Sequence, residues 1–169
     1  MAYDTLYLII SGTSTARRVP GLLPKLCALA PRVITILTPN AQRIVSLREL
    51  ALVPGHHIVE SYFDDAILPR PPYGALLVAP CSFNTLNKLA QGIADNLALS
   101  IAAEAIGRAT PVIVAISTNP PLWAHPQVKQ SVETLRQWGC QVLDPVPQGD
   151  TLTLAPDEAL VAAASTALA

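Results

Sequence analysis

Continuous apolar runs, each closed by a polar loop and followed by a helical period, recur along this chain of 169 residues. Residues 5–11 (TLYLIIS), 32–37 (RVITIL), 74–79 (GALLVA) and 110–116 (TPVIVAI) are apolar at successive positions, not at alternate ones. Runs of that kind read as strands buried on both faces of a parallel sheet. The third is punctuated by Pro71-Pro72 ahead and Pro80 behind. Between the runs the spacing becomes helical. It predicts helices from Ala16 or Val19 to Leu29, over 41–45 behind an Asn40 cap, and over 47–52. A further helix starts near Leu86, with Leu86, Leu89, Ala90 and Ile93 at helical spacing, and an Ala- and Leu-rich helix occupies 95–107. Helix 127–138, strand 141–143 and a small-residue helix after Pro156 complete the count. Alternation of strand and helix predicts an α/β fold: a doubly wound parallel sheet in one three-layer domain over 1–169, with a helical tail at about 156–169.

The loops at the strands' carboxyl ends carry the chemistry. Ligands of open α/β sheets bind there, and a helix start offers free N–H groups to an anion or a polar ring edge. The first loop, Gly12-Thr13-Ser14-Thr15, combines a permissive turn residue with three hydroxyls, and Arg17 and Arg18 follow it. It contains neither G-K-[ST] nor G-x-G-x-x-G, so it is neither a Walker loop nor a dinucleotide fingerprint. The second loop, Thr38-Pro39-Asn40, reads equally well as a strand-end turn. The third is Pro80-Cys81-Ser82-Phe83-Asn84-Thr85, where Asn84 or Thr85 also suits a helix cap. The fourth, residues 117–126, holds Asn119 before two prolines, and a turn-forming asparagine explains that position too.

Composition narrows the function classes. A net charge of −1 gives no electrostatic reason to expect nucleic acid or an anionic membrane as partner. Hydrophobic residues make up 51% of the chain and charged ones 14%, a low charge density that predicts burial of apolar surface between copies of the chain. No stretch approaches about 18 uninterrupted apolar residues, so no membrane span is expected. Met1-Ala2-Tyr3-Asp4 lacks the pattern of a signal peptide. Three cysteines without a C-x-x-C pair fit a reducing cytoplasm, not a disulfide framework or a zinc site. Adjacent His56 and His57 would point to opposite faces of a strand, and read as solvated loop histidines. Asp64 and Asp65 read as a solvated pair. No metal set is expected.

The stretch from Pro80 to Leu97 adds a resemblance. Pro80, Ser82, Asn84, Thr85, Lys88, Ala90, Gly92, Ile93, Ala94, Asp95, Asn96 and Leu97 match the P-x-S-x-N-T…K-x-A-x-G-I-A-D-N-L signature of the flavoproteins that decarboxylate cysteine carboxylates. That family includes phosphopantothenoylcysteine decarboxylase and the epidermin-type peptidyl-cysteine decarboxylases. The resemblance implies a flavodoxin-like, Rossmann-like domain that binds FMN non-covalently, in a trimer or a multiple of trimers. It places the FMN phosphate on Gly12, Thr13 and Ser14, the ribityl-phosphate region near Thr38, and the rest of the cofactor along Pro80, Ser82, Asn84 and Thr85. The substrate it implies is a small-molecule or peptide thiol bearing a carboxylate. Asn119-Pro120-Pro121-Leu122-Trp123 is similar to the family's M-N-x-x-M-W motif, which makes Asn119 the residue that holds that carboxylate.

The chain also departs from the family. Counting back from Pro80 to the relatives' catalytic His-Ile segment reaches Ala66, followed by Ile67. Alanine cannot transfer a proton, and such groups contribute roughly 10²–10⁴-fold in rate. The glycine-rich flap after the last strand is also missing, although Pro147-Gln148-Gly149-Asp150 permits a hairpin. An FMN-binding redox or complex subunit without decarboxylase activity is therefore the alternative; the phrase at residues 115–119 is similar to the dipicolinate synthase B subunit. Pro80-Cys81-Ser82 also looks like the related flavin prenyltransferases. Those carry an Arg-Glu pair where this chain has Thr118-Asn119, which makes prenyl transfer the least favoured reading. Cys81 reads as a small buried residue and Trp123 as a packing residue.

Overall fold

The computed structural model describes residues 3–68 and 73–169. Its strands are β1 (Thr5–Ile10), β2 (Arg32–Leu37), β3 (His57–Ile58), β4 (Ala75–Cys81), β5 (Val112–Ile116) and β6 (Gln141–Leu143). They form one sheet in the order β3-β2-β1-β4-β5-β6, parallel at every pairing. β1, β4 and β5 are buried along their whole length, as unbroken apolar runs require. Leu6, Leu8, Ile10, Leu77, Ala79 and Ala115 face one layer, built from α1 (Val19–Cys27) and α7 (Asp157–Leu168). Tyr7, Ile9, Leu76, Val78, Val114 and Ile116 face the other, built from α3 (Phe83–Ala90), α4 (Leu97–Gly107) and α6 (Pro126–Gln137). The expected doubly wound, three-layer α/β fold is present. The strand order reverses between β1 and β4, whose following helices leave on opposite faces, and a crevice opens above that point.

Several local expectations need correction. Pro80 does not end its strand: β4 runs on to Cys81, with its register against β5 shifting between Val78 and Cys81. Helix α3 starts at Phe83, not Leu86, and its cap is Ser82, whose Oγ accepts the Thr85 N–H. Neither Asn84 nor Thr85 caps it. The helix stops at Ala90, because Gly92 takes a positive φ of 69° that ends the helical path. Ile93, counted in its apolar stripe, is 40% exposed. Helix α4 begins at Leu97, behind an Asn96 cap that accepts the Leu99 N–H. The expected helix at 41–45 is a 3-10 turn, Ala41–Arg43, followed by α2 (Leu47–Ala51).

The segment from His56 to Pro72 contains the short strand β3 and a 3-10 turn, Asp65–Ile67; its last four residues, including Pro71-Pro72, lie outside the described ones. His56 is not a solvated histidine: its Nδ1 lies 2.8 Å from Thr35 Oγ1 and its Nε2 2.9 Å from the Leu50 carbonyl. His57 is exposed. Asp64 caps the 3-10 turn by accepting the Ala66 N–H. After β6 the permitted hairpin forms, with β7 (Val146–Gln148) antiparallel to β8 (Thr151–Thr153). A four-residue helix, α5 (Pro120–Trp123), fills part of the loop after β5.

One polar tie joins the first loop to the chain's last segment. Arg18 donates to the carbonyls of Leu154 (2.9 Å) and Ala155 (3.0 Å) and to Asp157 (2.6 Å). Lys25 donates to the other Asp157 oxygen at 3.1 Å. Arg18, although it follows the first loop, is thus committed to this tie and does not line the crevice. Burial alone would raise the Asp157 pKa, but hydrogen bonds and charge from Arg18 and Lys25 outweigh it and hold the carboxyl below its ordinary value. A depressed folded-state pKa contributes stability above the unfolded value, near about 4, and loses it as pH falls through the folded value. Wild type should therefore melt above Asp157→Asn at pH 7, and the gap should close between about pH 5 and pH 2 in thermal scans of both proteins.

Candidate functional site

The crevice at the strand-order reversal is a cavity of about 620 Å³. Its walls are the loops after β1, β2, β4 and β5, together with one face of α3, the segment before α4, and β8. Ser11, fully buried at the end of β1, holds the central two loops together. Its hydroxyl donates to the Pro80 carbonyl and accepts the Ser82 N–H, both at 2.7 Å, while its own N–H reaches the Pro80 carbonyl at 3.1 Å. Ser82 in turn caps α3 and donates to Thr85 Oγ1 at 3.1 Å. A second chain of hydroxyls joins Thr13 to Thr15 (2.8 Å) and Thr15 to Ser117 (2.7 Å), linking the loops after β1 and β5. Gly12 makes this arrangement possible: a Cβ there would lie 2.6 Å from the Cβ of Asn40. Only glycine lets the first two loops approach so closely.

Of the residues singled out from sequence, Gly12, Thr13, Ser14, Thr38, Ser82, Asn84, Thr85 and Asn119 all line this cavity. Pro80 does not. It lies inside β4, buried, with its carbonyl taken by Ser11. Asn119 is an exposed cap whose Oδ1 accepts the Leu122 N–H at 3.0 Å. That bond commits the carbonyl end of the amide to α5 and leaves the NH2 end to donate. Sequence reasoning missed Phe83, Lys88, Asp95, Asn96, Ser117, Thr118, Thr151 and Leu152 as lining residues. Ser117 and Thr118 carried a usable signal, being hydroxyls placed after β5 just as Ser11 and Thr13 follow β1. Thr151 and Leu152 carried none.

Neutral donors dominate the cavity. Lys88 and Asp95 are its charged lining residues, and they pair with each other. Thr118 Oγ1 is buried without a hydrogen-bond partner, and an orphaned hydroxyl in the wall of a cavity is a place for a ligand's polar atom. Cys81 is buried beneath the site with its thiol pKa pushed well up by desolvation, so it is inert packing and not a reactive group. Trp123 packs against the second core layer. Ala66, the position matched to the relatives' histidine, does not line the cavity: Asp64 holds its N–H, and its carbonyl accepts from Arg32. His125 sits outside the lining, edge-on to Phe83 with ring centroids 5.4 Å apart. Among the described residues no three His, Cys, Asp or Glu side chains are grouped to hold a metal ion, and no helix is long and apolar enough to cross a membrane.

The family model named Flavoprotein matches residues 2–166. The chain belongs to the Flavoprotein family. Among curated relatives, the coenzyme A biosynthesis bifunctional protein CoaBC of Bacillus subtilis is 27% identical over 145 residues, covering 82% of this chain and 35% of that protein. This flavoprotein thus spans about a third of the length of the bifunctional relatives it matches. The probable phosphopantothenoylcysteine decarboxylase of Streptococcus mutans is 26% identical and matches over 83% of this chain and 82% of its own. Among solved structures, the FMN-dependent cysteine decarboxylase SpaF superposes with a TM-score of 0.82 at 26% identity, covering 99% of both chains. The Pro80–Leu97 resemblance and the family model thus agree, and the site's uncharged hydroxyls, amides and orphaned Thr118 Oγ1 fit a flavin nucleotide.

Because Ser11 satisfies the partly buried Ser82 N–H and donates to the buried Pro80 carbonyl, its loss costs about 1–2 kcal/mol. Ser11→Ala should lose about that much stability in urea denaturation. Ser14→Ala, an exposed position in the same loop, should change it by less than about 0.5 kcal/mol.

Proposed function

We propose that this chain binds FMN non-covalently in the cavity at the strand-order reversal and acts as an oxidative decarboxylase of a cysteine-type carboxylate. The substrate class is a small-molecule or peptide thiol of the phosphopantothenoylcysteine or C-terminal-cysteine kind. The observation that carries this reading is convergence: four strand-end loops bring hydroxyls and amides, with one buried hydroxyl unpartnered, into a single cavity of a Flavoprotein-family chain. Thr13, Ser14 and Thr15 offer hydroxyls to the phosphate, and Thr38 and Asn40 face it from the second loop. Ser82, Asn84 and Thr85 line the wall formed by the start of α3, where the Asn84 amide is free to meet a polar ring edge. The NH2 end of Asn119 suits a substrate carboxylate, binding it without adding charge. Bound there, an oxidised flavin supplies the two-electron acceptor that such a decarboxylation needs.

The chain's low charge density and exposed Leu52 and Phe63, each 84% exposed, support a homo-oligomer, proposed as a trimer or a multiple of trimers. Three free cysteines support a cytoplasmic setting.

A second reading, a flavin-binding subunit without decarboxylation, is favoured by Ala66. Among the described residues no histidine lines the cavity, and its two titratable side chains are already paired with each other. The two readings separate on one experiment. Holoprotein is incubated with phosphopantothenoylcysteine and with C-terminal-cysteine peptides, and the products are weighed for loss of carbon dioxide. Loss from either substrate supports the enzyme; none from any thiol leaves the binding role. Because no lining base is at hand, turnover should follow the substrate's own thiolate and rise about ten-fold per pH unit up to about pH 8.5. Asn84→Ala should weaken FMN retention about five- to ten-fold in a fluorescence titration. Asn119→Ala should leave retention unchanged while lowering turnover.

A further inference from the structure

The hairpin β7–β8 is a separate two-stranded sheet, yet its Thr151 and Leu152 form part of the cavity wall. Arg18 grips the chain directly after it. This residue ends the 3-10 turn, Ser14–Arg18, whose first two residues also line the cavity. Its guanidinium takes two successive carbonyls, Leu154 and Ala155, directly after β8, and then the Asp157 carboxylate at the start of α7. A planar fork with several donors suits that three-acceptor grip, and a lysine ammonium cannot reproduce its geometry. Leu154 and Ala155 are themselves buried, so these carbonyls have no water to fall back on.

We infer that Arg18 is a positioning residue for the cavity: its grip on residues 154–157 keeps the hairpin seated as a fixed wall and so sets how fast a bound ligand escapes. The inference rests on the FMN reading for its ligand, but not for its structural half. Native-state hydrogen exchange on the flavin-free protein tests that half directly. Arg18→Gln should speed exchange over residues 146–153 while leaving β1 and β2 protected, and Arg18→Lys should restore protection only in part. FMN release, followed by the recovery of free-flavin fluorescence after dilution, should be roughly ten-fold faster in Arg18→Gln, a fold-change equal to about one of the three charge-assisted bonds that the variant loses. Asp157→Asn, which keeps both carbonyl contacts, should fall between wild type and Arg18→Gln in both measurements.

Unchanged exchange at the hairpin would overturn the inference. So would faster exchange spread evenly over the sheet, or a loosened hairpin with unaltered FMN release. Wild type that takes up no FMN would instead count against the proposed function, and the exchange data would still decide the role of Arg18.

Discussion

The Ser11 hydroxyl is the constraint on which this site depends. A doubly wound sheet opens a crevice because the helices after β1 and β4 leave on opposite faces, and that same divergence leaves the two loops with nothing between them. One buried hydroxyl closes the gap by donating to Pro80 and accepting from Ser82. The bond to Pro80 is buried from water and the one from Ser82 is partly so. Because Ser82 is also the cap of α3, fixing its backbone aligns that helix, and with it the wall that carries Asn84, Thr85 and Lys88. The hydroxyl relay through Thr13, Thr15 and Ser117 then fastens the β5 loop to the same frame.

A cavity built this way binds by preorganised dipoles instead of net charge. Among the described residues its one ammonium is matched by its one carboxylate, and the nearby Arg18 is engaged by residues 154–157. The hydroxyls of Thr13, Thr15 and Ser117 already hold one another in place, so an anionic group meeting them would spend less ordering entropy on binding. Such contacts are also short-ranged, and salt screens them far less than it screens a field of surface lysines.

The strands were legible in the sequence because a parallel sheet buried on both faces leaves unbroken apolar runs, and β2 and β6 match their expected bounds to the residue. The loops that line the cavity were legible for a related reason: strand ends are where such sheets bind ligands, and Gly12, Thr13, Ser82 and Asn119 all follow a strand. What periodicity could not show was long-range or competitive. Ile93 keeps helical spacing, yet the glycine before it turns the chain out of the helix. Arg18 lies close to the first loop in sequence, but its three acceptors lie more than 130 residues later and draw it away. Ser11 passed for a strand's last residue because its partners become visible only once β1 and β4 are known to be neighbours.

Ala66 separates two tasks that a cysteine decarboxylase must combine. In the proposed reading the cofactor and the carboxylate meet groups on the loops after β1, β2, β4 and β5, and hydroxyls and amides from all four line the cavity. Moving the proton uses a group from the segment after β3, and here that position is an alanine tied down by Asp64 and Arg32, away from the lining. The two losses differ in kind. A missing base slows a reaction by a factor that a partly ionised thiol offsets, since a free thiol is already a few per cent thiolate at neutral pH. A missing cradle would abolish the site altogether. The cavity at the strand-order reversal is the feature without which nothing could bind, whereas the histidine absent at Ala66 is one whose loss costs rate.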